Sequence, residues 1–402
     1  MEKLLPRLLL VSEIPLSQEG TGINRTLVNL LEGYPVDNFM LFKSSAKNSD
    51  QTAPRFSQNV ATFSAEFLPF LNNRFGNLVN GIISQINLQL IDWLPIFERK
   101  KIDAFAPEVI LICPSSASGL LIGHKIIKTF DIPYLIYLMD DWTKSNHYQW
   151  LTGSVQESTT YLLNNASGWL MISQQLEQEL AQRYKIVPKR SLIVHNPVDL
   201  SNKTLPDFTP HYRDKFRVIY AGGIWPMHYD AVAVVAEAIY ELRRDGVDIE
   251  LVLHTAPNFW EIYQKQWVKW QVTYGDLIPY KELNQYLQKA DLLLVASSFF
   301  PENYSITSSS VQTKLTDYMV SGRPILACGP SYAACNIFVR NWNCGLVCES
   351  NQIEEIKEIL LKHIENYSEL NLFAKTAFET VKNHFDVSKV RANLYKFIQQ
   401  SL

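Results

Sequence analysis

The sequence predicts an α/β protein of two doubly wound parallel-sheet domains, and three observations carry that prediction. Apolar runs of strand length alternate with helical segments, the signature of repeated βαβ units. Most of those runs are near-continuously hydrophobic, as strands covered on both faces must be. The series starts twice within 402 residues, a length at which one hydrophobic core usually gives way to two.

In the first half, strands are expected at Arg7–Val11, Phe39–Lys43, Val109–Cys113, Tyr134–Met139, Gly168–Ile172 and Ser191–Val194. Between the second and third, Asn77 to Leu94 reads as a helix with apolar residues around most of its circumference, ended or kinked by Pro95. It is either packed inside the first domain or a membrane-surface element, with Trp93 and Arg99-Lys100-Lys101 at the headgroups. His195-Asn196-Pro197-Val198-Asp199 closes this half, and the polar stretch Ser201 to Lys215 reads as a linker. The second series places strands at Arg217–Ala221, Ile249–His254, Val272–Tyr274, Leu292–Val295, Pro324–Ala327 and Gly345–Val347. Helices separate them, among them Asp230–Arg244, Tyr280–Lys289 and Gln352–Glu365, and an amphipathic Val387–Gln399 helix ends the chain. The expected domains are therefore 1–200 and 201–386, with 387–402 a terminal helix that packs on the first. Two such domains put a cleft between the carboxyl ends of their sheets, where ligands bind in doubly wound folds.

Composition narrows the function classes. A net charge of -3 gives no bulk attraction to nucleic acid. The five cysteines form no C-x2-C pair and read as reduced, buried thiols of a cytoplasmic protein, without a metal site or disulfides. Leu8–Val11 is too short an apolar run to span a membrane.

One stretch, Ser308 to Leu326, concentrates the chemistry. A polar loop leads into a short helix from Lys314, and Ser321-Gly322 stops it, since glycine accepts the left-handed conformation of a helix C-terminus. A helix start offers unpaired N–H groups and partial positive charge to a phosphate. Lys314 falls in the first turn and Asp317 one turn further along the same side. A cation for phosphate and a carboxylate for ribose hydroxyls would hold a nucleotide.

The ordered motifs resemble the GT-B glycosyltransferases, specifically the retaining type with the E-x7-E motif (group 1, family 4-like), over nearly the whole chain. Gly20-Thr21-Gly22-Ile23-Asn24-Arg25 looks like the glycine-rich acceptor loop, and Asn196-Pro197-Val198-Asp199 like the interdomain N-G-V-D. Tyr220-Ala221-Gly222-Gly223 looks like the strand and donor loop of the second domain. Gly275-Asp276-Leu277-Ile278 looks like the segment that clasps the nucleobase, and Asp317 to Ile325 like the second half of E-x7-E with A-x-G-x-P-V. The chain departs from the pattern at several charges. Ser309 stands at the first glutamate and Asp317 at the second. Gly223 and His228 stand at the basic pair of the donor loop, and Met139 at the histidine before Asp140.

The resemblance implies two Rossmann-like domains facing each other across a cleft, the first for the acceptor and the second for a nucleoside-diphosphate sugar. It implies a glycosyltransferase, retaining and metal-independent, needing no cofactor beyond its donor substrate. The acceptor would be a saccharide or lipid-linked, as in surface polysaccharide or glycoconjugate synthesis. Asp140 and Lys314 are the expected catalytic residues, Lys314 stabilising the leaving diphosphate and Asp140 orienting the acceptor hydroxyl, taking its proton or stabilising an oxocarbenium charge. Gly222, Gly223, His228, Ile278, Ser309, Gln312, Thr313 and Asp317 are expected around the donor. Gly20, Thr21, Gly22, Asn24, Asp141, Trp142 and His147 are expected around the acceptor, although Trp142 and His147 would serve equally to pack a loop. The expected location is the cytoplasm, with peripheral contact at the inner face of the membrane left open. The missing charges keep an alternative alive: a catalytically silent protein of the same fold that binds a sugar, a nucleotide or a partner glycosyltransferase.

Overall fold

The computed structural model describes residues 4–14, 16, 17, 22–44, 52–63, 71, 79, 80, 82, 83, 86, 96–141, 153–201, 206–208 and 215–402. It divides into two compact units, one formed by Met1–His195 with Val387–Leu402 and the other by Asn196–Asp386.

The first unit carries β1 (Leu8–Ser12), α1 (Ile23–Leu31), β2 (Phe39–Ser44), β3 (Val60–Phe63), α2 (Ile96–Phe105), β4 (Val109–Ile112), α3 (Ala117–Phe130) and β5 (Tyr134–Leu138). α4 (Gly153–Asn165), β6 (Gly168–Met171), α5 (Gln174–Tyr184) and β7 (Ser191–Ile193) follow. Its sheet has the order β3-β2-β1-β4-β5-β6-β7, and every pairing is parallel. Leu8 aligns with Phe39 on one side and Val109 on the other, which puts β1 at the centre. β1, β4, β5 and β6 are buried along their whole length, as their unbroken apolar sequences require. β3 is a seventh strand where the sequence suggested six. Its four residues, Val60-Ala61-Thr62-Phe63, alternate between half-buried and buried at the sheet edge, too short a run to stand out. The expected helix Asn77–Leu94 lies almost wholly outside the described residues. Just after it, α2 leaves Ile96 and Phe97 75% and 68% exposed.

The second unit begins with β8 (Phe216–Ala221), α6 (Pro226–Arg244), β9 (Ile249–His254), α7 (Pro257–Ile262), α8 (Gln264–Lys269) and β10 (Thr273–Gly275). It continues with α9 (Tyr280–Leu287), β11 (Leu292–Ala296), α10 (Tyr304–Ser309), α11 (Lys314–Val320), β12 (Ile325–Cys328) and α12 (Ala334–Asn341). β13 (Gly345–Cys348), α13 (Ile353–Glu365) and α14 (Tyr367–Thr380) complete it. Its parallel sheet has the order β10-β9-β8-β11-β12-β13, with a hydrophobic core on each face. α6 starts earlier than the sequence pattern suggested because Pro226 occupies its first turn, where a missing N–H costs nothing. α15 (Val387–Gln399) belongs to the first unit. Its Val390, Leu394, Phe397 and Ile398 join that core, and the Tyr395 hydroxyl donates to the Leu30 carbonyl at 3.0 Å.

In both sheets the chain reverses its winding beside the first strand, between β1 and β4 and between β8 and β11. The carboxyl ends of these strand pairs are where such folds open a crevice for ligands. Among the described residues no helix is long and apolar enough to cross a membrane.

Candidate functional site

In the second unit, the carboxyl ends of β8 and β11 collect most of the residues the sequence singled out. β8 ends in Tyr220-Ala221, and Gly222 follows at φ 132°, a backbone region that side chains rarely adopt. A Cβ on Gly222 would lie 3.0 Å from the Lys314 ammonium, so glycine here also makes room for the cation. That ammonium lies 3.7 Å from the centroid of the Tyr220 ring, a cation–π contact. Lys314 Nζ is buried and has no hydrogen-bond partner. Burial pushes its pKa down to about 7, against a small opposing pull from Cys335. An ammonium held in this way, with no hydrogen-bond partner in the protein, is poised for an anion.

His228, in the first turn of α6, completes the cluster. The Tyr220 hydroxyl donates to the Gly223 carbonyl at 2.7 Å, and His228 Nδ1 lies 3.2 Å from each of those two oxygens. Nδ1 therefore carries the proton and Nε2 keeps a lone pair. Burial, then the nearby Lys314, push the imidazole down to about 3, so it is neutral in the empty protein. A bound diphosphate would work against both causes.

The loop before α11 is not a simple polar loop. Ser309 closes the short helix α10, is fully buried, and gives its hydroxyl proton to the Ser305 carbonyl at 2.6 Å. Its hydroxyl proton is thus engaged inside the fold, which leaves only the oxygen's lone pairs for the donor contact the sequence reading expected. Gln312 bonds through Nε2 to the Ala296 carbonyl at the end of β11 (2.7 Å), and its buried Oε1 lacks a partner. Gln312 thereby ties the start of α11 to the switch-point strand. Thr313 precedes α11 without capping it through its side chain, and its carbonyl accepts from Asn196 at 3.0 Å.

Asp317 sits one turn beyond Lys314, 9% exposed, and accepts from the Tyr280 hydroxyl at 3.2 Å. Tyr280 opens α9 directly after the loop that holds Ile278, so Asp317 and the Ile278 loop adjoin. That loop is braced by His254, whose Nδ1 donates to the Asp276 carbonyl at 3.0 Å. Tyr220, Tyr280 and His254 were not singled out from the sequence. Tyr220 stood in a quoted motif, but only its contact with Lys314 reveals what it does.

In the first unit, Asp140 follows β5 and, with Glu13, lies near enough to the buried Cys113 to act on its thiol. Burial first, then these two carboxylates, push the Cys113 thiol well above its ordinary range. Glu13 was missed by sequence reading. It follows β1 and accepts from the Ser115 N–H (2.9 Å), the Gly119 N–H (2.9 Å) and the Ser116 hydroxyl, which caps α3. An acid just past the first strand, with a Ser-Ser-x-Ser-Gly run at the third, was the available signal. Gly22 caps α1, and Asn24 in its first turn keeps a buried Oδ1 without a partner. Gly20, Thr21, Trp142 and His147 lie outside the described residues.

Asp141, expected at the acceptor, is 2% exposed, and Arg183 of α5 grips both its oxygens, Nη1 to Oδ1 at 2.9 Å and Nη2 to Oδ2 at 2.5 Å. The pair fixes α5 to the end of β5. Asp141→Ala is expected to cost ~1–3 kcal/mol of stability, because Arg183 loses a bidentate partner but keeps Glu179 at 3.0 Å. Chemical denaturation of the variant measures that loss.

Among the described residues no group of three or more His, Cys, Asp or Glu side chains is arranged to hold a metal ion.

Residues 215–366 match the family model described as Glycosyl transferases group 1. No curated protein matches the chain in sequence. Among solved structures, sucrose-phosphate synthase from Thermosynechococcus elongatus superposes with a TM-score of 0.71 at 14% identity, covering 98% of each chain. HepE of Anabaena in complex with UDP gives 0.69 at 14% identity, covering 98% of this chain and 100% of its own. A glycosyltransferase from Rickettsia africae gives 0.69 at 11% identity, covering 98% of this chain and 97% of its own. Matches of this extent establish the GT-B fold for the whole chain.

Proposed function

We propose that this GT-B protein, whose second unit carries the glycosyl transferases group 1 domain, transfers a sugar from a nucleoside-diphosphate sugar to a saccharide or lipid-linked acceptor. The observation that carries the reading is the Lys314 ammonium, buried without a hydrogen-bond partner against Gly222 at the switch point of the second sheet. Burying an uncompensated cation is costly, and a diphosphate is the ligand that would offset it. The motif reading left the Gly222–His228 loop without its usual basic pair. Lys314 brings a cation to that same loop from α11, which favours an active enzyme over a silent one.

In this reading Gly222 and Gly223 let the loop approach the phosphates, and Lys314 with a protonated His228 stabilises the charge that develops on the leaving diphosphate. Asp317, steadied by Tyr280, accepts from the ribose, and the Ile278 loop flanks the base. Asp140 serves the acceptor hydroxyl in the first unit. Retention of configuration follows the family pattern, and so does independence from metal and cofactor, with lysine and histidine in the place of a cation. UDP is the first donor base to try, because HepE structures hold UDP and UDP-glucose. Peripheral contact with a membrane belongs to the same proposal, supported by the exposed Ile96 and Phe97 beside Arg99, Lys100 and Lys101.

Calorimetry with UDP, GDP and ADP, followed by product analysis with the matching nucleotide sugars, tests the reading. One of the three is expected to bind, and its sugar to be transferred with the anomeric configuration kept, as read by NMR of the product. Failure of all three to bind overturns the proposal. Binding without release of sugar from any donor would leave a silent nucleotide-binding protein.

A further inference from the structure

The geometry points to Tyr220 as the positioning residue of the anion site: its ring carries the Lys314 ammonium while its hydroxyl sets the Gly223 peptide and the His228 imidazole. This inference rests on the donor-site reading above and adds a residue to it.

Three contacts converge on one fully buried side chain. Lys314 Nζ sits 3.7 Å from the ring centroid. The hydroxyl donates to the Gly223 carbonyl at 2.7 Å. The same oxygen lies 3.2 Å from His228 Nδ1. Each contact has a consequence for an anion at Gly222. The π face stabilises the ammonium electrostatically but brings no negative charge, so the cation keeps its full attraction for phosphate. A carboxylate in that place would hold Lys314 more firmly and neutralise it.

The hydroxyl acts on the backbone. Because the peptide is planar and trans, drawing the Gly223 carbonyl toward Tyr220 turns the Ile224 N–H to the opposite side. The donor loop is thereby locked in one orientation at a point where glycine alone would leave it loose. The same hydroxyl oxygen and the Gly223 carbonyl together fix the proton of His228 on Nδ1. Nε2 is then the atom that takes up a proton when an anion arrives. Burial holds the phenol far above its ordinary pKa, so Tyr220 itself stays neutral throughout.

The titratable groups that face this cluster are Tyr220 on β8, His228 on α6, Lys314 and Tyr318 on α11 and Cys335 on α12; burial pushes the Tyr318 phenol and the Cys335 thiol up, so both stay protonated. No carboxylate contributes to the shift of either base. The Tyr220 ring is therefore in direct contact with the ammonium, with only the Cys335 thiol pulling in the same direction.

Two variants of the full chain separate the two ends of Tyr220. Tyr220→Phe keeps the ring and removes the hydroxyl; Tyr220→Leu removes both. UDP and uridine are the probes, because the role concerns phosphate and leaves the nucleoside alone. Tyr220→Phe is expected to weaken UDP ~3–10-fold, the worth of a lost hydrogen bond, with uridine affinity unchanged. Tyr220→Leu is expected to weaken UDP further and to lower the Lys314 titration midpoint by about one unit, read by NMR of 13C-labelled lysine. Tyr220→Phe leaves that midpoint near its original value, and the direction of the shift in Tyr220→Leu excludes a merely space-filling role, whose loss would admit water and raise the midpoint. Equal losses for UDP and uridine, or an unmoved Lys314 midpoint in Tyr220→Leu, would overturn the inference. The titration is read on the empty protein, so it decides the role of Tyr220 even if the wild-type chain binds no UDP, a result that would remove the donor-site reading instead.

Discussion

Replacing Lys314 with methionine lowers nucleotide-sugar turnover by ~10²–10³-fold, the usual effect of losing one preorganised donor to a developing oxyanion. The folded state does not suffer. Methionine fills nearly the same volume and removes a buried charge that has no hydrogen-bond partner. The empty variant is therefore expected to gain on the order of 2 kcal/mol near neutral pH, a discounted conversion of the depressed lysine pKa. Activity and stability moving in opposite directions is the mark of a residue kept for function. Equal turnover in the variant would remove Lys314 from the site.

The same residue fixes the pH dependence. Lys314 is pushed down to about 7 in the folded protein by burial, below the ordinary ammonium value. Between about pH 7 and pH 10 the unfolded chain thus binds more protons than the folded one, and stability of the empty protein rises with pH. Below about pH 7 both states are protonated and the full penalty is present. A bound diphosphate raises the lysine pKa again, so binding takes up a proton above about pH 7. Diphosphate affinity is expected to weaken with rising pH through that window and to lose the lysine's share of this slope in Lys314→Met, the remainder being the proton taken up by His228. Calorimetry in buffers of different ionisation enthalpy reads the proton directly.

Asp140→Asn is the second large effect. Transfer is expected to fall ~10²–10⁴-fold, the range for removing a group that handles a proton in the transition state. Nucleotide affinity should stay within about twofold, because the nucleotide residues belong to the other unit. The split is read as kcat against the dissociation constant for UDP. Equal losses in both would give Asp140 a structural role, like that of its neighbour Asp141.

Much of this protein is written locally. Runs such as Leu8–Val11, Val109–Ile112 and Leu292–Ala296 state their burial by composition alone, and their alternation with helices states the doubly wound fold. Lys314 and Gly222 were legible because a lysine behind a polar stretch and a glycine just past a strand are features of adjacent residues. β3 was not legible, since four alternating residues at a sheet edge resemble many loops. The back-bond from the Ser309 hydroxyl to Ser305 was not legible either, because a serine in a polar run does not show which carbonyl its hydroxyl meets.

What adjacency does not carry, sheet register decides. Asp140 and Asp141 are neighbours of one chemical type, and it is the second that Arg183 grips from α5, a pairing that burial makes compulsory. Glu13 meets Ser115 and Gly119 only because β1 and β4 lie side by side. The sequence alone determined that the chain forms two wound sheets and that a cation and a glycine loop stand in the second. Only the tertiary structure brought that cation onto the Tyr220 ring beside the glycine loop. β8 and α11 are far apart in the chain, and a long-range contact leaves no periodicity in either segment.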